Sequence, residues 1–278
     1  MSFSGAPPMK IDLHLHSHVS DGQLSPTRLM EAARAGGLDM VALTDHDTAA
    51  GVSEARDAAE ALGLEFVPGI EISTRHGSHE FHILGYGIDE ESDSIRAHQT
   101  ASVRRRTDRM RGMVDRLHEL GVRVTFEEVL TAAGPARSLG RPHLARALLA
   151  GGHTRFYGEA FSRYISDGGP AFVSQGFPGV DEAIQTIHDA GGVAVWAHPP
   201  LDAFEDHIRP FASFGLDGVE CFRPGTLPLD LQLLEGVTRD LGLFPTGGSD
   251  WHGPHRAVLG DFFLRPEDIP EVLERVCR

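Results

Sequence analysis

Short apolar runs recur along the chain at 10–15, 40–43, 65–70, 80–86, 193–197, 218–222 and 243–246. Polar or glycine-containing segments bound each one, the pattern of buried β-strands. Between most of them the apolar positions change to helical spacing. The stretch 26–35 follows Ser25 and opens on Pro26, a serine cap with proline in the first helical turn. Stretches 52–62, 180–190 and 229–241 close before Gly63, Gly191 and Gly242, which tolerate the left-handed backbone that ends a helix. Strand alternating with helix predicts an α/β fold with a parallel sheet and right-handed crossovers. Seven strands carrying polar residues after their C-terminal ends predict a closed, TIM-like barrel, whose reactive residues share that face.

The alternation breaks between residues 95 and 173, where only helical spacing is found, over 95–120, 126–133, 143–150 and 154–164. A helical excursion between two strands is most simply an inserted subdomain lying over the barrel mouth. The expected organisation is therefore a barrel formed by residues 1–94 and 174–278, with 95–173 inserted.

Composition narrows the function. A hydrophobic share of 41% in 278 residues supports a full core for one large domain. The net charge of −15 disfavours a long basic groove for polymeric nucleic acid, though not a small anionic substrate at a cation-bearing site. Lys10 is the one lysine. Its isolation excludes a P-loop, leaves no free Schiff-base lysine, and excludes a carboxylated-lysine amidohydrolase unless Lys10 itself served. Cys221 and Cys277 form no disulfide framework, which fits a reducing cytoplasm. Residues 1–9 lack the basic start and apolar run of a signal peptide or anchor, and residues 2–8 read as a disordered lead. No run approaches the roughly 18 apolar residues of a membrane span.

The candidate chemistry lies in nine residues at the strand ends: His14, His16, Asp21, His46, Glu71, His82, His198, Asp250 and His252. Imidazoles and carboxylates are the ligands that borderline and hard divalent cations share. Two positions apart on a strand, His14 and His16 point from one face and can grip one ion. Asp21 lies in a Ser-Asp-Gly turn, and His46 follows the apolar run 40–43. Glu71 closes another such run and could bridge two ions. Asp45 and Asp47 either orient the His46 imidazole or cap its loop. The remaining histidines, His98 among them, read as loop or surface residues.

Ile11-Asp-Leu-His-Leu-His-Ser, Ser20-Asp-Gly, Leu43-Thr-Asp-His-Asp, Gly69-Ile-Glu-Ile-Ser, Ala197-His-Pro and Gly248-Ser-Asp-Trp-His occur in this order. Together they resemble the motifs of the PHP (polymerase and histidinol phosphatase) superfamily. The resemblance implies a distorted (β/α)7 barrel holding two or three divalent ions, manganese most often, otherwise iron, zinc or magnesium. It implies one ion on His14, His16, Glu71 and Asp250, a second on Glu71, His82 and His198, and a third on Asp21, His46 and His252. Stand-alone members with a helical insertion at this point resemble nucleoside 3′,5′-bisphosphate phosphatases and 5′-to-3′ exoribonucleases. The substrate implied is a small phosphorylated molecule, a nucleotide or a short RNA end. Rival readings are a histidinol-phosphate or other small-molecule phosphatase, a non-catalytic PHP module, and a metal-dependent amidohydrolase.

Arg141-Pro-His143 is similar to the segment such phosphatases place on the scissile phosphate. Arg141 would pair with phosphate oxygens, and His143 would either protonate the leaving oxygen or hydrogen-bond the phosphate. Two segments depart from the family pattern. Gly168-Gly169-Pro170 lacks a lysine that relatives carry, and Arg223-Pro-Gly-Thr226 replaces a Ser-His pair. Arg223 is the expected substitute for the missing lysine charge. The arginines of 104–116 form either a solvated basic face or a local attraction for phosphate.

Overall fold

The computed structural model describes residues 9–134, 139–174, 176–255 and 257–276. The expected lead at 2–8 and Cys277 lie outside them. Seven strands form one curled sheet in sequence order: β1 Ile11–Leu15, β2 Met40–Leu43, β3 Glu65–His76, β4 His79–Tyr86, β5 Val193–Trp196, β6 Gly218–Phe222 and β7 Phe244–Gly247. Helices α1 Pro26–Ala35 and α2 Val52–Leu62 follow the first two strands. Ser25 caps α1 as expected, its side chain accepting from the Arg28 amide.

One expectation is overturned. The sheet is not parallel throughout, because β4 runs antiparallel to both β3 and β5. Only Gly77 and Ser78 separate β3 from β4, and Gly77 takes a left-handed φ of 59°. Two residues can close a hairpin but cannot make a parallel crossover. This reversal matters for the site. His82 lies near the start of β4, in register with Ser73 well along β3, so it reaches the same end of the sheet as residues from strand C-termini.

Five helical pieces follow β4: α3 Asp93–Glu119, α4 Phe126–Ala133, α5 Arg141–Ala150, α6 Tyr157–Ala160 and a π-helical turn, Phe161–Ile165. Residues from Met110 to Ala171 pack into a hydrophobic cluster of their own, while Ile95, at the start of α3, belongs to the cluster against the sheet. Helix α3 thus spans two cores. Helix α7 Val180–Asp189 leads into β5, and α8 Leu201–Ser213, α9 Pro228–Asp240 and α10 Pro270–Val276 complete the chain.

The edges of the curled sheet approach each other at the end that carries the histidines. The His16 amide donates to the Trp251 carbonyl at 3.0 Å, and the Trp251 amide to the His14 carbonyl at 3.3 Å. Gly248 passes so close behind β1 that a β-carbon there would lie 2.2 Å from His14 Cβ. Only glycine lets the segment carrying Asp250 take this path. Among the described residues no helix is long and apolar enough to cross a membrane.

Candidate metal centre

All nine strand-end residues converge at one end of the sheet. Three groups of donor atoms lie within 4.8 Å of one another: His14, His16, Glu71 and Asp250; His16, Asp21, His46 and His252; and His46, Glu71 and His82. His198 adjoins the last group, its Nε2 2.9 Å from Glu71 Oε1 and 3.2 Å from His82 Nδ1. The groupings differ in detail from the expected sets: His16 also faces the Asp21 group, and His46 also faces Glu71.

The spacings suit a cation. Ligands about 2.1 Å from one ion lie roughly 3.0–3.4 Å apart in octahedral or tetrahedral arrangement. Here His14 Nε2 is 3.0 Å from His16 Nε2, and His16 Nε2 is 3.2 Å from both Glu71 Oε2 and Asp250 Oδ1. His16 Nδ1 and His46 Nδ1 are buried without a hydrogen-bond partner. Buried polar atoms are seldom left so, and His46 Nδ1 lies 3.1 Å from Glu71 Oε2 within the centre.

Electrostatics point the same way. Burial opposes charge on His14, yet Glu220, Glu71 and Asp250 raise its pKa well above the usual imidazole value. Burial likewise opposes charge on His16, but hydrogen bonds to Asp250 and Glu71 carry it to about 10. His46 is pushed down to about 3, first by burial and then by the neighbouring His16 and His82, against the pull of Glu71 and Asp21. Glu71 would be neutralised by burial, but His46, His82 and His14 hold it well below the usual carboxylate range. The centre is a concentration of negative charge that protons occupy where a divalent ion would displace them.

The backbone is shaped to present these groups. Asp47, His198 and Asp250 have φ of 53°, 32° and 53°, the positive-φ residues other than glycine among those described. Left-handed backbone at non-glycine residues costs of order 1–3 kcal/mol and gathers at functional sites.

Several supports were not anticipated from the sequence. Glu220, fully buried on β6, lies 2.8 Å from His14 Nδ1 and accepts from the His198 amide at 2.6 Å. Such a carboxylate fixes the imidazole so that Nε2 faces the centre. Asp12 accepts from the Ser249 amide at 2.9 Å, and burial raises its carboxyl to about 6. A single acid inside each of two apolar strands was the available signal. Asp45 holds the Ser17 and Ser20 side chains at 2.6 and 2.7 Å rather than the His46 ring. Asp47 accepts from the Ser73 amide and from the Arg106 guanidinium, and lies 3.1 Å from His98 Nε2. His98 is therefore a buried partner and not a surface residue.

A cavity of about 380 Å³ opens beside Asp21, His46 and His82. Its walls include Arg106, Arg109 and Arg141, together with Tyr157, Phe161 and Phe177. The arginines of α3 thus divide: Arg104 is solvated, whereas Arg106 and Arg109 are buried and reach the cavity. Arg109 donates to the Val173 carbonyl at 2.8 Å, and burial, with Arg141 and Arg106 nearby, lowers its pKa to about 10. Arg141 pairs with Asp167 at 2.6 Å. Arg223 is not among the cavity-lining residues; it donates to the Pro199 carbonyl at 3.4 Å.

His143 is buried outside this cavity and borders a second one beside His18, Gly22 and Arg146. Its Nδ1 accepts from the Gly140 amide at 2.9 Å, and the ring also bonds to the Ser20 backbone. Burial, with Arg146 and Arg106 adding to it, lowers its pKa to about 4. NMR titration should show His143 unprotonated down to about pH 5, and an imidazolium at pH 7 would refute this placement.

A curled α/β sheet with a buried histidine–carboxylate centre defines a metal-dependent hydrolase. Comparison with known proteins sharpens the class. The PHP domain profile matches residues 12–120. The chain is 36% identical over 250 residues to a 5′-3′ exoribonuclease from Haemophilus influenzae, covering 88% of this chain and 90% of that protein. It is 33% identical over 274 residues to a 3′,5′-nucleoside bisphosphate phosphatase from Chromobacterium violaceum, covering 96% and 95%. A solved structure from Bifidobacterium adolescentis, described provisionally as a metal-dependent phosphoesterase, superposes with a TM-score of 0.87 at 32% identity, covering 97% of each chain. The chain belongs to the PHP family of metal-dependent phosphoesterases.

Proposed function

We propose that the substrate is a nucleoside 3′,5′-bisphosphate whose 3′-phosphate is hydrolysed, with short RNA taken from its 5′ end as a companion substrate. The observation that carries this reading is the cavity beside the centre, where three guanidinium groups share one wall system with three aromatic rings. Arginines suit a second phosphate and flat rings suit a base. Histidinol phosphate offers no second phosphate, and its ammonium group would meet Arg106, Arg109 and Arg141. The two named relatives, a bisphosphate phosphatase and an exoribonuclease, support the same substrate class.

In this reading the sheet is a distorted (β/α)7 barrel, and residues 95–173 form a helical subdomain over its mouth. His14, His16, Glu71 and Asp250 would hold one ion, Glu71, His82 and His198 a second, and Asp21, His46 and His252 a third. Manganese is the first choice for this mixed nitrogen and oxygen set. Bound ions supply Lewis acidity toward phosphoryl oxygens and lower the pKa of water. The protein contributes position and charge. Glu220 turns His14 toward the centre, and Arg141 presents paired donors to phosphate as its Asp167 partner yields. The rings of Tyr157, Phe161 and Phe177 exclude water from one side of the nucleoside.

The test is phosphate release by metal-stripped protein, with and without manganese restored. Adenosine 3′,5′-bisphosphate should exceed histidinol phosphate by roughly 100-fold in kcat/KM, since charged polar groups left unpaired discriminate strongly. Equal rates, or a preference for histidinol phosphate, would remove the nucleotide assignment.

A further inference from the structure

We infer that α5 couples phosphate capture by Arg141 to assembly of the Asp21 cation group. This rests on the metal-binding reading above and adds a dependence between two parts of the site. His14, His16 and Glu71 take their partners from strands and the loops that follow them. Asp21 is different. It stands on a turn outside any strand, and two α5 side chains hold that turn from above. Arg146 donates to the Asp21 carbonyl at 3.1 Å, and His143 bonds to the Ser20 backbone. Asp45 fixes the same turn from below through Ser17 and Ser20.

The other side of the group is held by helices as well. Asp47, next to His46, is gripped by Arg106 of α3, which also donates to the Leu139 carbonyl at 3.3 Å, two residues before α5 begins. Asp21 and His46 therefore depend on the seating of α5 and α3. Arg141 is the first residue of α5 and borders the cavity. A phosphate that engages Arg141 restrains the helix that restrains Asp21. Binding linkage is reciprocal, so a cation at Asp21 must favour phosphate to the same degree.

Manganese titration of the full chain, by calorimetry with metal analysis, reads this directly and without turnover. Arg146→Ala should weaken one ion equivalent about tenfold, the usual effect of losing a group that orients a ligand, and leave the others unchanged. Arg146→Lys should restore part of the loss. Adding inorganic phosphate should tighten that same equivalent in the wild type and tighten it less in Arg146→Ala. Asp21→Asn should weaken the same equivalent, and the double variant should bind no worse than Asp21→Asn alone. Unchanged titrations for Arg146→Ala would overturn the proposal, as would a uniform loss of all equivalents. Wild-type protein that takes up no manganese would instead remove the metal reading beneath it.

Discussion

Glu71→Gln lowers kcat by about 10³-fold or more while the fold stays intact. The magnitude follows from losing electrostatic stabilisation that several groups share, where even one positioned donor is worth about 10²–10³. Glu71 is fully buried, and its carboxylate lies 3.4 Å from His14, 3.2 Å from His16, 3.1 Å from His46 and 2.9 Å from both His82 and His198. It is the carboxylate shared by the His14–His16 side of the centre and the His82–His198 side. Glutamine keeps the shape, so packing changes little, but it removes the charge that makes the pocket attractive to cations. Its amide also offers donors where the carboxylate offered only acceptors. Metal analysis should show fewer bound ions alongside the lost turnover, with circular dichroism unchanged. Activity within tenfold of wild type, at wild-type metal content, would show that the centre does not depend on this carboxylate.

Much of this site was legible in the chain because imidazoles and acids follow apolar strands, where nothing in core packing calls for them. The helices that begin at Pro26 and Val52 were legible for a similarly local reason, since cap and glycine signals act over one turn. Helix α8 was not read, because His198-Pro-Pro resembles a loop and Pro210 sits within the helix. The antiparallel β4 escaped because strand pattern reports burial and not direction; the missing crossover between residues 76 and 79 was the real clue. The arginines were the larger gap. Arg104, Arg106 and Arg109 look alike in sequence, and only the packing of α3 against the Asp47 loop decides which are solvated. Arg223, the expected substitute charge, donates to the Pro199 carbonyl and does not line this cavity; a strand end sets the direction of a backbone, not the reach of a long side chain. Glu220 and Asp12 support the centre from within strands, where one acid among apolar residues is easily read as an exception.

Arg106→Ala costs about 3–5 kcal/mol of stability, because it strands a buried carboxylate without its cation. Asp47 is almost fully buried and accepts from Arg106 Nε at 2.8 Å, while the same guanidinium reaches Ser73 Oγ at 2.9 Å. Burial alone would raise the Asp47 carboxyl; Arg106, with His98, instead holds it well below the usual range. For a depressed carboxylate the stabilisation is present above its unfolded pKa of about 4 and is lost as pH falls through the folded value. Without Arg106 the burial penalty prevails and the carboxyl takes up a proton at higher pH. The gap between wild type and variant is therefore full at pH 7 and narrows on acidification. At roughly 2–4 °C per kcal/mol for a chain of this size, melting should fall by about 10 °C at pH 7. Titrations that Arg106 does not influence act on both proteins and cancel in the difference, while His143, which Arg106 helps keep neutral, charges more readily in the variant and narrows the gap in the same direction. A gap that stays constant from pH 8 to pH 4, or widens toward acid, would show that Asp47 is not the group Arg106 sustains. The carboxylate left behind adjoins His46, so the variant should also bind manganese less tightly at a temperature where it remains folded.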